Sequence, residues 1–194
     1  MLPGLDGGVG MSGAFLQALR THGLEAEALS LPVVGGQDYS TLCAWLQPQL
    51  PQLPWVLLGE SFAGPLALAA AWPLPPLPVM ARVLLGQWRS PENVQSLRQA
   101  LVDVPNRVLR QRAASTLRVD VRALLPRIAV PTLCLQARQD RLLWPPSVAE
   151  LQALLPTARH MALQGPHLLL QARPEQAAEV VARWVNGLPP ASRS

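Results

Sequence analysis

The chain has 194 residues, 49% hydrophobic and 14% charged, a length that suits one domain with a sizeable core and a composition that excludes disorder over most of it. The net charge of +4 comes from sixteen Arg and no Lys, and eight of those Arg lie between Trp88 and Val130, so the surplus belongs to one segment. No apolar run reaches the roughly 20 residues of a membrane-spanning helix, which excludes an integral helical membrane protein.

Apolar period and turn residues then alternate along the chain between helix-like and strand-like stretches. Gly13 to Leu19 reads as a helix stopped by Gly23, and Glu25 to Leu31 alternates as a short strand. Ser40 to Leu50 reads as a helix broken around Pro48 and Pro51. Trp55 to Leu58 is an apolar strand, followed by a small-residue helix from Phe62 to Trp72 with Pro65 in its first turn. Val79 to Leu85 reads as another strand. Residues 88–128 interrupt the alternation: Val94, Leu97, Leu101, Val104 and Val108 keep helical spacing, with Pro105 bending or splitting the helix. A strand from Thr132 to Gln136, a helix from Pro146 to Leu155, a strand from Arg159 to Leu163 and a helix from Pro174 to Val185 complete the pattern. The tail from Leu188 to Ser194 reads as frayed. Short connections and doubly apolar strands predict an α/β fold, a mostly parallel sheet with helices on both faces. One domain, residues 1–194, then carries a small helical cap at 88–128.

The N-terminal MLPGLDGGVG lacks the charged and apolar regions of a signal peptide, so a cytoplasmic location is expected. Cys43 and Cys134 are too few for a disulfide framework or a cysteine zinc site and are expected as buried thiols.

Gly59-Glu60-Ser61-Phe62-Ala63-Gly64 contains G-x-S-x-G between an apolar strand and a small-residue helix. A nucleophile elbow needs this setting, because the glycines relieve crowding at a sharp turn that leaves the Ser61 hydroxyl exposed. A serine nucleophile needs a base, and the chain offers three histidines. His22 closes a helix, where capping explains it, and His160 opens the last strand as a surface residue. His167, in the loop Gln164-Gly165-Pro166-His167 after the last strand, falls at the sheet edge that presents Ser61. Asp140, after the strand TLCLQ, is the residue to orient and stabilise the imidazole; Asp103 and Asp120 lie in the helical insertion and suit this less. The order Ser61, Asp140, His167 is that of an α/β-hydrolase triad. The backbone N–H of Phe62 and, from the loop Leu2–Gly8, that of Leu5 are the expected oxyanion donors. Trp88 and Trp144 are candidates to line an acyl pocket, with core packing the plainer role.

With these residues the chain resembles the α/β-hydrolase superfamily, and among its members small bacterial serine esterases similar to pimeloyl-carrier-protein methyl ester esterase. The resemblance rests on LPGLDG (2–7), GESFAGPLAL (59–68), VPTLCLQARQD (130–140) and GPHLLLQARPEQ (165–176). It implies hydrolysis of a small-molecule carboxylic ester or thioester through an acyl-enzyme, without cofactor. It also implies that a central strand, preceded by a hairpin, should come before the LPG-type loop. Only Met1 precedes it here, so a gap is expected between EAEALSL and WVLL, from a truncated gene product, from closure of the flanking strands, or from completion by another chain. Alternatives are a catalytically silent binding module and an acyltransferase using the same triad. The Arg-rich segment reads as a solvated face or as a dock for an acidic acyl carrier. No basic run interleaved with aromatics points to nucleic acid.

Overall fold

Two short parallel strands, each leading into a polar loop, set the frame of the molecule. The structure is a computed structural model that describes residues 1–51, 55–60, 77–143 and 145–189. The expected helix Phe62 to Trp72 and the last residues of the tail lie outside that set. In chain order the described helices are α1 (Gly13–Thr21), α2 (Tyr39–Leu46), α3 (Leu77–Leu84), α4 (Pro91–Val102) and α5 (Asn106–Arg118). Then come β1 (Leu133–Ala137), α6 (Pro145–Leu154), β2 (Arg159–Leu163), α7 (Leu169–Ala172) and α8 (Pro174–Asn186).

β1 and β2 pair in parallel, Leu133 opposite Arg159 and Ala137 opposite Leu163. A parallel pair needs a crossover, which α6 supplies. Pairing runs on past the strand ends: Arg138 N–H donates to Leu163 O at 2.8 Å and Gln139 N–H to Gly165 O at 3.0 Å. The two following loops therefore leave the sheet side by side.

The expected gap between EAEALSL and WVLL is occupied in part. Met1 and Leu2 lie between the two segments: the Met1 ammonium donates to Glu27 O at 2.6 Å and Leu29 N–H to Met1 O at 3.0 Å. On the other side Leu2 N–H donates to Leu58 O at 2.7 Å and Glu60 N–H to Leu2 O at 3.1 Å, making an isolated parallel bridge from Leu2 to Gly59. Neither flanking segment forms a regular strand among the described residues, contrary to the reading of Glu25 to Leu31 and Trp55 to Leu58. A ladder needs a neighbour of matching length, and two residues support one bridge.

A second correction concerns Val79 to Leu85, read as a strand and found within α3 and the turn after it. Met80, Ala81 and Leu84 are buried while Val79 is exposed, which is a helical stripe rather than period two. Pro105 does split the insertion, into α4 and α5. Ser90 caps α4 by accepting from Asn93 N–H at 3.2 Å, with Pro91 in the first turn, the arrangement a helix start favours. Cys43 is exposed and Cys134 only half-buried. Neither is the buried thiol expected.

Three apolar clusters hold these elements. Phe15, Ala18 and Leu19 of α1 meet Ala177, Ala178 and Val181 of α8, with Met1, Leu58, Leu133, Leu135 and Leu163 packed against them. Met80, Ala81 and Leu84 of α3 meet Leu97 of α4, joined by Leu168 beside the last loop. Val108, Leu109 and Ala113 of α5 enclose Leu5. Each fully buried Leu or Phe here contributes roughly 1.5–3 kcal/mol.

Candidate active site

Asp140 and His167 follow β1 and β2, so the parallel register delivers both to one edge of the sheet. His167 Nδ1 and Asp140 Oδ2 are 2.8 Å apart, with the two side chains only 4% and 13% exposed. Asp140 Oδ1 accepts from Leu142 N–H at 2.7 Å and Leu143 N–H at 3.0 Å, which fixes the plane of the carboxylate. Burial pushes this carboxyl up, but the His167 hydrogen bond and charge and the two amides outweigh it, and the net shift is downward. A carboxylate held ionised against Nδ1 keeps a proton on that nitrogen and makes Nε2 the basic one.

The loop's own geometry holds His167 in place. Leu168 N–H donates to Leu84 O at the end of α3 (3.1 Å), and Leu169 N–H to His167 O (2.9 Å). Gly165 N–H donates to Gln139 Oε1 at 2.7 Å, tying the Asp and His loops together. A Cβ on Gly165 would lie 2.4 Å from Leu169 Cδ1. His160, by contrast, bonds Leu155 O at 3.2 Å, and His22 is an exposed C-cap of α1; neither is near the Asp140–His167 pair in the hydrogen-bond pattern.

The loop Leu2–Gly8 is shaped by a residue that sequence reading missed. Arg112, on α5, is fully buried, and its guanidinium donates to Leu5 O (3.0 Å), Asp6 O (2.8 Å), Pro32 O (3.0 Å) and Gln37 Oε1 (2.9 Å). The Arg-rich segment is thus not uniformly a solvated face. Gly7 makes the approach possible: it has φ +67, and a Cβ there would lie 2.2 Å from Arg112 Nη1. Gly7 N–H closes a turn onto Gly4 O at 2.9 Å. Leu5 is buried, and its N–H donates to no acceptor among the described residues. The signal was present in the sequence, since Arg112 falls on the same helical stripe as Val108, Leu109 and Ala113.

Glu60 was passed over as the variable residue of G-x-S-x-G. Its carboxyl accepts from Gln171 Nε2 at 3.2 Å, and burial pushes it up from 4.5 to about 7, with Asp6 adding to the rise and Gln171 and His167 opposing it. Leu5, Asp6, Glu60, His167 and Gln171 line one cavity of about 70 Å³. Trp88 is not among its walls; the Arg173 guanidinium lies 5.6 Å over its ring. Ser61, Phe62 and Trp144 lie outside the described residues. Among the described residues no cluster of His, Cys, Asp or Glu could hold a metal ion, and no helix is long and apolar enough to cross a membrane.

No family profile and no curated protein matches the chain, but solved structures do. A membrane phospholipase A, described as a novel bacterial virulence factor, aligns over 93% of this chain and 76% of its own, at 19% identity and a TM-score of 0.67. A hydrolase from Oleispira antarctica aligns over 63% of this chain and 45% of its own, at 20% identity and a TM-score of 0.52. A thermophilic esterase from Thermogutta terrifontis, with malate bound, aligns over 62% and 47%, at 22% identity and a TM-score of 0.51. The chain spans about half the length of these last two. At such identities the likeness is one of fold, and together with the parallel strand pair and its flanking helices it fits an α/β fold.

Proposed function

We propose that the chain is a serine hydrolase that cleaves a carboxylic ester or thioester through an acyl-enzyme. One observation carries the reading: a buried imidazole with its Nδ1 2.8 Å from a carboxylate, on neighbouring loops at the ends of parallel strands. That arrangement leaves Nε2 as a base, and the G-x-S-x-G segment begins at Gly59, which the bridge from Leu2 holds beside the Leu2–Gly8 loop. The fold likeness to a hydrolase, an esterase and a phospholipase supports the same chemistry.

In this reading Ser61 Oγ attacks the carbonyl carbon while His167 Nε2 takes its proton. The resulting oxyanion receives hydrogen bonds from the amides of Leu5 and Phe62, each worth about 3 kcal/mol in the transition state. His167 returns the proton to the departing alkoxide or thiolate, leaving Ser61 acylated. It then deprotonates water, which attacks the acyl carbon and releases the acid and Ser61. Asp140 fixes the tautomer and stabilises the imidazolium. All these steps use groups of the chain itself, with no cofactor. Substrate delivery on an acidic acyl carrier would use the exposed arginines of the 88–128 segment, such as Arg107 and Arg110, and not Arg112, which is buried.

Intact-mass analysis after exposure to a fluorophosphonate tests the assignment without guessing a substrate. One adduct per chain is expected, lost in Ser61→Ala and strongly slowed in His167→Ala. An adduct that survives Ser61→Ala would place the nucleophile elsewhere.

A further inference from the structure

The cavity beside His167 has apolar walls at Met80, Leu84, Leu97 and Leu101 and a polar end at Glu60 and Gln171. Hydrogen-bond accounting at that end does not close. Gln171 Nε2 donates to Glu60 Oε2, while Glu60 Oε1 and Gln171 Oε1 are both buried without a partner among the described residues. Gln171 Oε1 is an acceptor, and Glu60 Oε1 is one once the carboxyl is ionised; buried acceptors without donors are rare because each forfeits its hydration. A single ordered water needs roughly 10–15 Å³, against about 70 Å³ in this cavity. The space suits a small organic group.

We propose that Glu60 and Gln171 form a subsite for a hydrogen-bond-donating head group, a hydroxyl or an ammonium, whose apolar stem lies along Leu84, Leu97 and Leu101. That the head belongs to the ester substrate rests on the hydrolase reading, since His167 lines the same cavity. A donor with two or more hydrogens can satisfy both unfilled oxygens. Asp6, which lines the same cavity, adds negative potential that favours the ammonium, while the Arg112 charge acting on Asp6 offsets part of it.

The test is binding of three small probes to the whole protein by ligand-observed NMR: 1-butanol, n-butylammonium and methyl propyl ether. The ether has the size of the alcohol but no donor. The alcohol or the ammonium should bind about tenfold more tightly than the ether, the scale of one net hydrogen bond. The stronger of the two identifies the head group. Glu60→Leu combined with Gln171→Met removes both acceptors and should abolish the preference; if that double variant does not fold, Glu60→Leu alone should cut it severalfold. Equal binding of ether and alcohol, no binding by any probe, or a preference that survives the substitution would overturn the subsite. Fluorophosphonate labelling separates this from the catalytic reading. Labelling without selective binding sinks the subsite alone, and selective binding without labelling sinks the hydrolase.

Discussion

Arg112 and Glu60 show how single ionisable side chains act on the site in opposite ways, one as a buried charge and one through its proton. Arg112 spends four hydrogen bonds on carbonyls and an amide oxygen that would otherwise be orphaned around the Leu2–Gly8 loop. Hydrogen bonds to a charged group contribute about 1.5–3 kcal/mol each when broken one-sidedly, and the four are coupled. Arg112→Met should therefore cost on the order of 3 kcal/mol in urea unfolding and slow fluorophosphonate labelling by tenfold or more, because Leu5 loses its support. Arg112→Lys should not rescue it, since an ammonium cannot match the planar fork. Near-normal stability in Arg112→Met would mean that water replaces the guanidinium, and the loop would need another anchor. Glu60 acts through its proton. The folded chain holds that proton up to about pH 7, whereas an unfolded Glu releases it near 4.5. Its contribution is fully present below about pH 4.5 and is lost as pH rises through 7, amounting to roughly 3 kcal/mol. Glu60→Gln, which mimics the neutral acid, should gain on the wild type between pH 5 and pH 8. With about 2–4 °C of Tm per kcal/mol at this size, calorimetry at the two pH values resolves the change. A gap between the two proteins that stays constant with pH would show Glu60 titrating as an exposed acid.

Elements differ in how much of themselves they announce. β2 and α8 were legible because the cues agree: Arg159–Leu163 is bounded by turn residues, and Pro174 opens a run with a strong 3.6 period. The Asp140 and His167 loops were legible for the same reason, since loops after parallel strands share an edge. Val79 to Leu85 was not legible. A short apolar run fits either period even between breakers such as Pro78 and Gly86, and its buried face is decided by Leu97 and Leu168, outside the run. Trp55 to Leu58 has strand composition yet the described bridge falls just past it, at Gly59, because a strand is defined by its neighbour as much as by itself. Arg112 and Glu60 escaped notice because burial, which gives them meaning, is a tertiary property. The helical assignment of α3 predicts a contrast. Val79→Ala should change stability by no more than about 0.5 kcal/mol, as an exposed site where Ala is the better helix former. Leu84→Ala should cost about 2–5 kcal/mol. Comparable losses at both positions in thermal unfolding would favour the strand.

At the scale of the whole molecule, support is uneven around the proposed site. The half that carries Asp140 and His167 rests on a five-residue parallel ladder packed against α1 and α8. The half that leads to Ser61 rests on the two-residue bridge of Met1 and Leu2. Trp55, Val56 and Leu57 sit there with about 45% of their surface exposed, and their amides donate to no acceptor among the described residues. Opening free energies follow buried contacts and paired amides, so the two halves should exchange hydrogen on different scales. Amides of Leu133–Ala137 should approach the global unfolding limit, and those of residues 55–57 should exchange at least about a hundredfold faster, a gap of roughly 3 kcal/mol or more. The same asymmetry places any loss of the nucleophile's alignment on the Leu2 side, so labelling by a fluorophosphonate should fail on heating before the β1–β2 amides lose protection. Protection of residues 55–57 equal to that of β1 would show that this segment is paired in solution, and that the site opens only with the whole domain.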